Sequence, residues 1–235
     1  FLFIYFFMIK KIKNDYFKPC SLILSLIVIQ GIVGWYMVHS GLVNNVSVSH
    51  YRLSLHLFFA FLIISIIFWL ILNLKNNSII IFYNSSLKKT LPTLILIFLI
   101  FIQIIFGAFV SGLDAGKIYQ TWPLMGQNYF PDDFVTQNFV DILNFNNHSL
   151  VQFYHRNIAY LITFYILLLG ALIIYQNKKD LYFPYSLILI FIFLQISLGI
   201  FTLISGLNIY LASAHQVCSV FLLFSSINLY YRYIK

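Results

Sequence analysis

Apolar residues run along this chain in stretches far longer than a soluble core requires, broken by short polar connections. A bilayer core of ~30 Å is crossed by about 20 residues of helix. By that measure the pattern predicts six full spans, at roughly 17–39, 50–74, 91–113, 149–175, 182–206 and 210–233. A shorter apolar segment, Phe1 to Met8, precedes them. It is too short to span, and it lacks the basic flank and small-residue cleavage site of a signal peptide. It is read as the tail of a further helix whose beginning is missing, so the chain is expected to be a fragment. The predicted fold class is all-α: a polytopic transmembrane helical bundle of six full spans plus a partial one.

Polar positions inside the spans are few, and they repeat. One set is Gln30, Gly34, Ser40-Gly41-Leu42 and His56. The second is Gln103, Gly107, Ser111-Gly112-Leu113 and His155. The third is Gln195, Gly199, Ser205-Gly206-Leu207 and His215. Self-similarity of this kind predicts pseudo-symmetric helical hairpins. Gln and Gly four apart share one helix face. The glycines admit two compatible readings: close helix packing, or room for a flat macrocycle. The Ser-Gly-Leu corners read as helix C-caps with a left-handed glycine.

Composition agrees with the pattern. The 235 residues are 61% hydrophobic and 9% charged, which excludes a soluble domain. The net charge of +8 raises nucleic acid as a partner, but the placement of the charges argues against it. Lys10, Lys11, Lys13, Lys18, Lys75, Lys88, Lys89, Lys178, Lys179, Arg232 and Lys235 all fall at one end of the predicted spans. Only Arg52, Lys117 and Arg156 lie at the other. The positive-inside rule places the Lys-rich connections in the cytoplasm or matrix. The Ser-Gly-Leu corners and the long 114–148 loop then lie outside. In that loop, Trp122-Pro123 and Phe130-Pro131-Asp132-Asp133 read as turns, with room for a short surface helix. A loop of that length is more often functional, for instance as a lid, than idle. Cys20 and Cys218 form no CxxC motif and read as small apolar fillers.

A histidine inside a lipid-spanning helix is costly and marks a functional site by default. His155 falls about six residues into its span, ~9 Å deep at 1.5 Å per residue. His56 and His215 sit at similar depth. Haem iron accepts neutral imidazole axially from facing helices, whereas zinc or di-iron would need carboxylates or thiolates that the spans lack. Haem is therefore the expected cofactor, with His56, His155 and His215 as iron ligands. Arg52, four before His56, and Arg156, next to His155, could pair with haem propionates, or simply snorkel to the interface. Gln152, three before His155, could hydrogen-bond an imidazole nitrogen or a propionate. His39, His50 and His148 lie at outer helix ends and read as solvated.

Several ordered strings carry a family resemblance. They are Gln30-Gly31, Gly34-Trp35-Tyr36-Met37-Val38, Tyr51-Arg52-Leu53 with His56-Leu57, Gly112-Leu113-Asp114-Ala115-Gly116, Thr121-Trp122-Pro123-Leu124-Met125, Val151-Gln152-Phe153 with His155-Arg156, and Ala214-His215-Gln216. Together they resemble haem A synthase, especially the form of alphaproteobacteria and mitochondria. The resemblance implies eight helices in two pseudo-symmetric halves, of which this chain carries the third to eighth and the tail of the second. Residues 1–74 would belong to the N-terminal, substrate-haem half and residues 75–235 to the C-terminal half. It implies that His155 and His215 ligate an auxiliary haem b, and that His56 serves the catalytic half, where a methyl group of haem O is oxidised to formyl. The partner histidine of His56 and an acidic residue near it would lie in the missing helix.

The implied partners are haem O, the bilayer, an unidentified electron acceptor, a haem O synthase and a second copy of the chain. The implied location is the bacterial inner (plasma) membrane, or alternatively the mitochondrial inner membrane. Two other readings stay open on the residues alone. One is a cytochrome b that only passes electrons; the other is a transporter or assembly subunit whose repeats are architectural.

Overall fold

The computed structural model describes residues 2–9, 11, 14–41, 48–78, 80, 87–133 and 138–235. Seven α-helices follow in order among them: α1 (Leu2–Met8), α2 (Asn14–Gly41), α3 (His50–Lys75), α4 (Leu87–Gly112), α5 (His148–Tyr175), α6 (Tyr182–Ile204) and α7 (Ile209–Ile234). Six of these, α2 to α7, are long and apolar enough to cross a membrane. The protein is an all-α, multi-pass membrane protein, as the hydropathy pattern predicts. Predicted and observed span ends differ by a few residues, the usual spread at frayed termini.

From α2 onwards consecutive helices pack as antiparallel neighbours, with α6 on α7 the most extensive pair and α4 also meeting α7. One apolar core is shared by α3 to α7, through Phe61, Trp69, Leu96, Ile100, Ile166, Ile173, Ile188, Leu223 and Tyr230. It fills the middle and the Lys-rich end of the bundle. There Asn73, though buried, exchanges two hydrogen bonds of 3.2 Å with the Ile80 backbone, and Trp69 donates to the same carbonyl at 2.9 Å. Backbone and side-chain polar groups are thus paired away from water, as an apolar surrounding demands.

Corners differ in how they turn. After α3 and α5 the left-handed position is taken by Asn77 and Asn177. After α6 it is taken by Gly206 and Leu207, so the C-cap reading holds there. After α4 it does not hold. Gly112 is still helical, and Asp114 adopts the left-handed conformation. Gly112 answers a packing demand instead: a Cβ there would lie 2.8 Å from the Cα of His50. The close approach also corrects the expectation for His50. It is buried, edge-on to Phe109, rather than solvated, whereas His39 and His148 are exposed. Leu42, Lys10 and Lys13 lie outside the described residues.

Candidate functional site

Each helical hairpin builds the same local unit from its own sequence. The amide nitrogen of Gln30 lies 3.2 Å from Nε2 of His56, that of Gln103 3.4 Å from Nε2 of His155, and that of Gln195 3.2 Å from Nε2 of His215. One turn along from each glutamine, the glycine faces the same ring. A Cβ on Gly34, Gly107 or Gly199 would stand 3.0, 3.3 or 3.0 Å from Cε1 of its histidine. The group opposite each glycine is therefore the imidazole, so each glycine lets the histidine ring of the next helix approach closely. Gly31, on another face of α2, has nothing within 4 Å.

The third unit also fixes a tautomer. Nδ1 of His215 lies 3.0 Å from the Gln195 carbonyl, which can only accept. Nδ1 therefore carries the hydrogen, and Nε2 presents a lone pair to the Gln195 amide. His155, with Gln103 and Gly107, belongs to the α4–α5 hairpin, and His215, with Gln195 and Gly199, to the α6–α7 hairpin. His56 has its partners on α2 instead. Among the described residues, no three His, Cys, Asp or Glu side chains converge as a zinc or di-iron site would need.

The structure gives Gln152 and Arg156 a role that sequence reasoning missed. Gln152 donates to the Tyr119 carbonyl at 2.8 Å, and Arg156 donates to the carbonyls of Tyr119 and Leu124 at 3.0 and 3.2 Å. The two side chains flanking His155 thus hold the loop against α5. Trp122 adds a bond to the Tyr160 hydroxyl at 3.1 Å, and Phe130 packs edge-on to Phe153. At its start the loop makes a 3₁₀ turn, Ala115–Lys117, and Gly116 lies under Leu207 at the α6–α7 corner. The loop therefore touches α5, which carries His155, and the corner that leads into α7, which carries His215. Arg52 points towards α2, as His56 does, and stacks over Tyr36 at 4.5 Å.

A clasp closes the loop. Tyr119 donates to Asp133 at 2.7 Å, and buried Ser149 donates to the other oxygen at 2.6 Å. Burial pushes the Asp133 carboxyl up, but these two hydrogen bonds outweigh it and hold the carboxyl below its ordinary value of 3.8. Burial raises the Tyr119 hydroxyl, with the Asp133 carboxylate next in effect. A carboxyl with a depressed folded pKa stabilises above its unfolded pKa and loses that contribution as pH falls through the folded value. Loop docking is expected to be constant above about pH 5 and to loosen below about pH 4. Fluorescence of Trp122, with Trp35 and Trp69 replaced by Phe, reports it. In Asp133→Asn the acid step disappears; a step that persists removes Asp133 from the explanation.

A multi-pass helical bundle with three copies of a Gln-Gly-His unit defines the class: an all-α membrane protein built of repeated helical hairpins. The chain belongs to the COX15-CtaA family of cytochrome oxidase assembly proteins, whose sequence profile matches residues 1–227. It is 43% identical over 211 residues to the heme A synthase of Pelagibacter ubique, covering 88% of this chain and 60% of that protein. It is 38% identical over 223 residues to the heme A synthase of Rickettsia felis, covering 94% of this chain and 65% of that protein. The heme A synthase of Rickettsia conorii matches to the same extent over 224 residues. The chain therefore spans 60–65% of the length of these curated relatives.

Proposed function

We propose that this protein is a haem A synthase, oxidising a methyl group of haem O to a formyl group in the membrane. The observation that carries the reading is a coincidence of two kinds of information. The three histidines that the family resemblance picks out are the three that the fold seats in equivalent Gln-Gly cradles. The donor set suits haem. Iron needs two imidazoles on facing helices, not a cluster of four ligands. The buried Nδ1 atoms of His56 and His155 have no protein partner, and neither do the buried Oε1 atoms of Gln30, Gln103, Gln152 and Gln195, so this end of the bundle has polar capacity to spare.

In this reading His155 and His215 would hold a haem b, and His56 would hold haem O on the catalytic side. A haem with two imidazole ligands supplies one-electron transfer. The chain's own residues orient it: Gln195 fixes the His215 tautomer, and the loop held by Gln152 and Arg156 covers the pair from the aqueous side. Arg156 and Arg52 are the candidate propionate partners. Residues 1–74 would form the substrate side and residues 75–235 the haem b side. The membrane is the bacterial inner membrane, and electrons leave to an acceptor of unknown identity.

The test is the haem content of the protein purified from membranes that also make haem O, resolved by extraction and mass-resolved chromatography. Haem b with haem O or haem A is the expected result. Haem b alone would favour an electron-transferring cytochrome. A protein free of haem would overturn the ligand assignment.

A further inference from the structure

We propose that Gln103 and Gln195 are placeholders for iron. Each donates to the Nε2 lone pair of its histidine, and iron must displace it for the histidine to become a ligand. Gln30 stands in the same relation to His56. The inference rests on the haem reading above.

Nε2 of a neutral imidazole has one lone pair, and it serves either a donated hydrogen or a metal. In all three hairpins the glutamine amide is the group at that atom, at 3.2, 3.4 and 3.2 Å. The sequence separations between glutamine and histidine are 26, 52 and 20, so shared loop geometry does not produce the contact. At His215 the ring is already in the tautomer a metal-bound histidine uses, with Nδ1 donating to a carbonyl and Nε2 carrying the lone pair. Only the amide needs to leave. Oε1 of each of the three glutamines is buried without a partner, and only the Gln103 amide has a second hold, donating to the His155 backbone carbonyl at 3.0 Å. The glycine opposite keeps the ring seated while the amide swings aside, because the ring edge lies 3.0 to 3.3 Å from where a Cβ would be. The arrangement keeps a buried imidazole hydrogen-bonded before haem arrives and releases it afterwards.

A placeholder competes with its ligand, so removing it strengthens binding. A side chain that merely steadies the ring does the opposite. The test titrates haem b into the haem-free protein in lipid nanodiscs and follows the Soret band at equilibrium and by stopped flow. Gln195→Leu and Gln103→Leu are each expected to raise haem affinity about fivefold, the size of one net hydrogen bond, with faster association and an unchanged low-spin spectrum. Gln195→Asn, one methylene shorter, is expected to behave likewise, and it decides the matter if the leucine variant misfolds by circular dichroism. Affinity that is unchanged or reduced in well-folded variants overturns the proposal. Failure of the unmodified protein to give a low-spin spectrum is a separate result, which removes the haem reading and this inference with it.

Discussion

In the proposed reading, His215→Ala and His155→Ala are each expected to abolish a low-spin, two-imidazole haem spectrum in the purified protein. Iron held by two histidines would lose one of its two protein bonds in either variant. Loss of a supporting group behind a metal ligand already costs about 10–100-fold in affinity, so loss of the ligand itself should exceed that. Haem titration with difference spectroscopy measures it. His56→Ala supplies the contrast. Its contacts are on α2, apart from the Gln103 and Gln195 units, so in the proposed reading the low-spin spectrum should survive while oxidation of haem O stops. A normal spectrum in both His215→Ala and His155→Ala would refute the assignment. The fold itself should persist in all three variants, because none of these histidines belongs to the apolar core.

Gly112→Leu should be the most damaging change to the bundle. A Cβ at Gly112 would lie 2.8 Å from both Cα and Cβ of His50, and 3.2 Å from Leu53. A flexible side chain can turn away from such an overlap, but the backbone of α3 cannot. The first turn of α3 would have to separate from the last turn of α4, taking with it the His50–Phe109 contact at 5.3 Å between ring centroids. Overpacking of this kind costs about 3 kcal/mol. Thermal unfolding in detergent should show a large loss, or the variant should fail to accumulate in the membrane. Gly31→Ala is the matched control. Nothing lies within 4 Å of Gly31, so a Cβ there meets open space, and relief of the helix penalty of glycine should add about 1 kcal/mol of stability. Equal stability of Gly112→Leu and the unmodified chain would mean that α3 and α4 are not in register as described.

The local arguments succeeded where the physics is local. Spans are legible because lipid charges every residue separately for its polarity, so twenty apolar residues in a row report a helix whatever surrounds them. The same logic singled out His56, His155 and His215, since a histidine at that depth is expensive wherever its neighbours are. The Ser-Gly-Leu corners show the limit. One tripeptide gives a left-handed cap at Gly206, whereas at Gly112 it gives a helical residue squeezed against His50. A corner's conformation depends on what approaches it, and that information lies in another helix.

By itself, the sequence determined an all-α membrane bundle, the uneven placement of its cations and the repeated positions of glutamine, glycine and histidine. These follow from composition and period, which act residue by residue along the chain. Only the tertiary structure decided what the repeated residues touch. It put each glutamine amide on an imidazole nitrogen and each glycine against the same ring. It turned Gln152 and Arg156 onto the backbone of the loop at Tyr119 and Leu124, and it buried His50. The reason is geometric: a contact between helices depends on their rotation and distance of approach, and residues 20 to 52 apart in sequence meet only when both are set by the packing of the whole bundle.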